Sequence, residues 1–264
     1  MMDYLLFGTV GLYFVASVLQ FAAVSFKKDG LRKASWITFL IGLAAHTVYL
    51  VVRGIMVHRL PLSNQFEFAC AFAWGVGLLL VILGAHYKAP WMAVAAMPMA
   101  FLILSYALLQ PREMKSELMP ALQSAWFGFH IGSAVFSYSA FMLAGATGLR
   151  YLVMDRKSTR DDAKLRSMDH LTYRLVALGV FLLTVTILTG AIWAEQAWGS
   201  FWTWDPKEVW ALITWLLYAV YLHLRLRKKH SGRAMAWFVV IAIPIVFFTF
   251  AGVNTFMSGL HSYG

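Results

Sequence analysis

Two histidines, His130 and His261, flank a run of tryptophans in which residue types and spacing could do chemistry. The run WAEQAWGSFWTWDPKEVWALITW, from Trp193 to Trp215, contains six of the eleven tryptophans in the 264-residue chain. Indole is large and flat, carries one N–H that needs a partner when buried, and favours membrane–water boundaries. Trp198, Trp202, Trp204 and Trp210 therefore point to an apolar surface with polar edges. A pair of neutral imidazoles beside such a surface suits axial ligation of a haem iron, with the planar macrocycle resting on tryptophan. Zinc suits the pair less well, because no carboxylate or thiolate stands at ligand spacing. The alternative for each histidine is an ordinary polar residue at a membrane boundary.

The centre of the run has a second, structural reading. In Trp204-Asp205-Pro206-Lys207-Glu208, Asp205 suits an N-cap, Pro206 the first helical position, and Glu208 the third position of a capping box. A helix start explains Asp205 and Pro206. It does not explain Trp198, Gly199, Trp202 and Trp204, since a cap requires no aromatic run before it.

These residues must be positioned by membrane-spanning helices. The chain is 61% hydrophobic and 13% charged, and its low-charge runs of roughly 20 residues match a bilayer core of about 30 Å. The runs predict eight spans: Tyr4–Phe26, Ser35–Val57, Phe66–Ala85, Trp91–Leu109, Ala121–Met154, Thr172–Ala194, Pro206–Leu226 and Ala234–Gly252. The expected fold is all-α, a polytopic membrane protein forming one integral domain over residues 1–264, with the tryptophan segment between the sixth and seventh spans. The first span follows only MMDY and reads as a retained helix rather than a cleaved signal.

Lys and Arg concentrate in three loops: Lys27–Lys33, Arg156–Arg166 and Arg225–Arg233. An eight-span topology puts all three on the cytoplasmic side. The net charge of +10 is thus a topology signal, and nucleic-acid binding does not follow from it. Both termini and the tryptophan segment then fall on the extracytoplasmic side, where His130 and His261 lie at one depth.

Deeper in the spans are His46, Arg53 and His223, and ionisable groups there are candidates for function. His223 reads either as a ligand in the inner leaflet or as a side chain reaching the headgroups beside Arg225. Arg53 either contacts a ligand carboxylate or pairs with Glu67. His58, His86, His170 and His230 are expected to be solvated. Cys70 is the single cysteine, inside the third span, so the chain has no CxxC pair and no internal disulfide.

The tryptophan run, continued as LLYAVYLHLR, resembles the WWD signature of the haem-handling proteins of cytochrome c biogenesis, and of the CcsA/ResC branch in particular. RGIMVHRLPLSNQFE, WFGFHIGSAVFSY and GVNTFMSGLHSYG resemble that branch as well, so the likeness extends over most of the chain. It implies haem b held outside the membrane between His130 and His261, against a platform that includes Trp198, Trp202, Trp204, Asp205 and Trp210. It also implies a second, intramembrane haem site at His223, whose other ligand comes from a CcsB/ResB-type companion subunit; His46 is a weaker alternative. The further partners implied are apocytochrome c, whose CxxCH thiols receive the haem, thiol-reducing pathway proteins and membrane lipid. The expected location is the bacterial cytoplasmic membrane or the thylakoid membrane, and the expected role is the haem-handling subunit of a cytochrome c synthase. A transmembrane dihaem electron carrier would place histidines similarly, but would not need the tryptophan surface. A solute transporter fits less well, for no inverted repeat or midplane acidic cluster is visible.

Overall fold

The computed structural model describes residues 2–114, 120–156, 161–257 and 259. The described residues form an all-helical protein with eight helices long and apolar enough to cross a membrane. This is an integral membrane protein, and the number of spans agrees with the apolar runs of the sequence. The helices gather into two compact units, Met1–Glu117 and Leu118–Gly264.

The first unit contains α1 (Met2–Phe26), α2 (Asp29–Val57), α3 (Gln65–His86) and α4 (Ala93–Ala107), the last entered through a 3-10 turn at Pro90–Met92. Helix α1 packs against α2 and α4, and α3 packs against α4. Asn64 starts α3 by accepting the N–H of Glu67 at 2.8 Å, which supplies a partner to one of the unpaired donors of a first turn. Cys70 is buried in α3, as a small core residue.

The second unit contains α5 (Ala125–Asp155), α6 (Asp162–Trp198), α7 (Pro206–Leu226) and α8 (Arg233–Phe247). Helix α8 runs on through a π-helical stretch, Phe248–Gly252, into a final α-turn, Val253–Phe256. The α5–α6 pair forms the most extensive contact, with α8 on α5 and α7 on α6. Only Thr214, Tyr218 and Tyr221 of α7 are buried.

The sixth helix is longer at both ends than the apolar run Thr172–Ala194. Its 37 residues extend about 55 Å, well beyond a 30 Å hydrocarbon core. Hydropathy locates the part that suits lipid, whereas the helix is set by its caps. Asp161 accepts the N–H of Lys164 at 3.1 Å at the start. Gly199, in the left-handed conformation at φ 71°, stops the helix with its N–H on the Glu195 carbonyl at 2.9 Å.

Candidate functional site

His130 lies on the second turn of α5, half-buried, in a cradle made by one face of α6. Its Nδ1 is 2.8 Å from the carbonyl oxygen of Thr186. A carbonyl can only accept, so Nδ1 carries the proton, and in the neutral ring the lone pair is on Nε2. That arrangement, in which a backbone carbonyl fixes tautomer and ring orientation, is the one that supports metal-ligating histidines. Behind the ring lies Gly190, where a Cβ would stand 2.6 Å from Nδ1 and 2.8 Å from Cε1. The Trp193 indole stacks on the imidazole at 5.8 Å and 20°. Thr186, Gly190 and Trp193 are spaced i, i+4 and i+7, so a single helix face holds the histidine.

Trp193 is buried, and anchors an aromatic cluster with Phe127 at 5.4 Å and Trp198 at 4.8 Å. Leu122 completes this small core. The His130 residue on which the sequence reading focused is therefore joined to Trp193 and Trp198. Thr186 and Gly190 were missed, although the i, i+4, i+7 spacing to the first tryptophan was available as a signal.

Past Gly199 the chain crosses to α7 through an irregular stretch fixed by Glu208. Its carboxylate accepts the N–H of Thr203 at 2.8 Å and of Asp205 at 3.2 Å. Asp205 Oδ1 in turn accepts the N–H of Lys207 at 2.9 Å, and a complete capping box results. Between these two clamped amides, Trp204 adopts φ 59° with its ring 70% exposed. A left-handed conformation is unfavourable for a bulky residue and persists only where its surroundings impose it. Trp202 stands edge-on to Trp204 at 5.9 Å. Farther along α7, Trp210 packs on Phe248 of the π-helical stretch at 4.4 Å, and Thr249 bonds Thr214 at 2.8 Å.

His261 lies outside the described residues. Two residues before it, Gly259 lies close to the start of α7, for a Cβ there would meet the Asp205 carboxylate and stand 3.0 Å from Pro206 Cδ. Asp205 thus caps α7 and leaves no room for a side chain at Gly259.

The other candidates lie elsewhere along the chain. His223 is exposed on α7, seventeen residues and about 25 Å along the helix from Pro206. Nearby, Arg225 pairs with Asp169 of α6, whose other oxygen accepts the Gly232 N–H at 2.9 Å. Arg53 belongs to the first unit, where it makes the pairing with Glu67 at 3.0 Å, the structural alternative of the sequence reading. His46, also in the first unit, is fully buried with Nδ1 3.3 Å from the Tyr13 hydroxyl. His58, His86, His170 and His230 are exposed.

Residues 62–261 match the family described as cytochrome C assembly protein. The "Cytochrome c biogenesis protein CcsA" of Prochlorococcus marinus (strain MIT 9303) is 34% identical, covering 97% of this chain and 92% of its own. The protein of the same description from Synechococcus sp. (strain CC9902) is 36% identical over 83% and 82% of the two chains. Among solved structures, "Cytochrome c Heme Lyase CcmF" superposes with a TM-score of 0.74 at 13% identity. That likeness, which is one of fold, covers 95% of this chain and 46% of that one, so the chain spans about half the length of that structure. With a family match over three quarters of its length and relatives aligned nearly end to end, the chain belongs to the cytochrome c assembly family and is of the CcsA type.

Proposed function

We propose that the chain acts in cytochrome c maturation by holding haem b at the tryptophan-rich end of its second unit and presenting it to the CxxCH thiols of apocytochrome c. The observation that carries this reading is the His130 cradle: a half-buried imidazole with its proton fixed on Nδ1 and an indole stacked on one face. Haem is the substrate. His130 supplies one axial nitrogen and His261 the other, and the closeness of Gly259 to Asp205 supports bringing the chain near His261 to the tryptophan loop. Trp198, Trp202, Trp204 and Trp210 supply apolar surface, with Asp205 holding the loop in register.

In the attachment step each cysteine S–H adds across a haem vinyl group, forming one S–C and one C–H bond with no leaving group. The protein's contribution is to hold vinyl and thiol in reach, a catalysis by orientation. Reduced thiols come from thiol-reducing partners, because the chain's single cysteine, Cys70, is buried. His223, exposed on a helix with only three buried residues, contributes to an inner haem site completed by a CcsB/ResB-type companion.

The test is the reduced absorption spectrum and pyridine haemochrome content of the purified chain, alone and with its companion, beside His130→Ala. Haem content in the variant is expected to fall at least tenfold, with loss of cytochrome c maturation. Unchanged haem and maturation would remove His130 from the site. Loss of maturation with an intact haem redox signal in Trp204→Ala would separate presentation from electron transfer.

A further inference from the structure

Haem brings two carboxylates of its own, and the end of the second unit that would receive it is already acidic. Along the described stretches that build this end, 120–133, 186–214 and 248–257, the charged residues are Glu195, Asp205, Lys207 and Glu208. Three bear carboxyl groups and one is a cation. A propionate set against this surface is repelled by the carboxylates and attracted only at Lys207. The two loop carboxylates are also committed to the backbone. Glu208 accepts the N–H groups of Thr203 and Asp205, and Asp205 accepts that of Lys207.

Lys207 is placed for such a contact. It follows Pro206 in the first turn of α7 and is half-buried. Helical side chains lean toward the N-terminal end, which for Lys207 is the loop that carries Trp202 and Trp204. Trp210 lies three residues on, on the same face, with its indole against Phe248. Asp205 acts on the Lys207 ammonium at a distance, and among the described residues Nζ makes neither a hydrogen bond nor an ion pair. A lysine ammonium offers three donors on a flexible four-carbon stem, and the stem covers apolar surface while the head seeks an acceptor. With the macrocycle resting on tryptophan, a propionate at its edge is an acceptor of the right charge.

We propose that Lys207 binds a haem propionate and so fixes which edge of the macrocycle lies at the start of α7. The inference rests on haem being held at the tryptophan-rich end, as proposed above. Two axial nitrogens alone leave the ring free to turn about the line that joins them. A charged anchor at one edge removes that freedom. The vinyl groups occupy the other half of the ring, so anchoring a propionate at Lys207 turns them away from α7, to one place where the thiols must come.

The experiment is a tryptophan-fluorescence titration of the full chain, purified in a neutral detergent and freed of haem, with haem and with haem dimethyl ester, whose propionates carry no charge. Haem is expected to bind about tenfold more tightly than the ester. Lys207→Met should abolish that preference by weakening haem alone, and Lys207→Arg should restore most of it. Equal affinity for the ester in all three proteins reports an intact fold. A preference undiminished in Lys207→Met, equal binding of haem and ester by the unaltered chain, or a Lys207→Met variant that weakens both alike would overturn the contact. Binding of both porphyrins that is weak and indifferent to His130→Ala would instead overturn the haem reading, and the propionate contact with it.

Discussion

The two units treat their polar groups in opposite ways. In the first, polar side chains turn toward each other: Arg53 and Arg59 share Glu67, and His46 is sealed against Tyr13. In the second, His130 is half-buried, Trp204 is turned outward, and His223 is exposed. The contrast between His46 and His130 is instructive because both are imidazoles in apolar spans. His46 contacts a hydroxyl that can either donate or accept, inside a closed core. His130 contacts a carbonyl that can only accept, beside a glycine that leaves room for its ring. A ligand-like histidine is distinguished by a fixed tautomer and an approachable face, rather than by its depth in the sequence.

Breaking the charge arrangement of the first unit should give the largest effect. Glu67→Ala leaves two guanidiniums facing each other and is expected to cost about 3–5 kcal/mol, read as a lowered thermal midpoint in detergent. A midpoint within a degree or two of the unaltered protein would show that the triad is not held as described.

Gly190→Ala sharpens the comparison from the other side. The added methyl displaces the His130 ring at an overpacking cost of about 1–3 kcal/mol. Haem content measured by pyridine haemochrome should drop severalfold even though no ligand has been replaced. Normal haem content would mean that ring position does not control binding.

A smaller effect is expected from Glu208→Ala, which removes half of the capping box and the clamp on Thr203. The loss is about 1 kcal/mol, with faster amide exchange over residues 200–205 and a shift in tryptophan emission as Trp204 leaves its left-handed conformation. Exchange that stays slow would place the constraint on Trp204 elsewhere. The double change Tyr13→Phe with His46→Leu should be the mildest of the four, below about 1 kcal/mol in stability and without effect on haem, since it replaces a sealed polar pair by apolar side chains. A haem loss comparable to that of His130→Ala would erase the distinction between the two histidines.

Much of this was legible in the residues. Low-charge runs located the eight spans, and the cap at Asp205 was readable as local chemistry, whereas the one at Asn64 emerged only with the start of α3. Arg53 and Glu67 were visible as partners, but the third member, Arg59, joins them only because the turn between α2 and α3 brings it inward. The His130 cradle was hidden for a similar reason. Thr186 and Gly190 are common residues in apolar helices, and only the pairing of α5 with α6 turns one into an acceptor and the other into a space. The π-helical stretch had no signal at all, because the residues from Ile245 to Val253 continue the apolar pattern of an ordinary span.

That stretch sets an angle. Hydrogen bonds in Phe248–Gly252 reach one residue farther than in an α-helix, and one residue of α-helix corresponds to about 100° of rotation. The chain beyond Gly252 consequently leaves the span turned by somewhat more than a quarter revolution from where an unbroken helix would send it. For the C-terminal end of this protein, losing a single residue between 248 and 252 is a change of heading before it is a change of length.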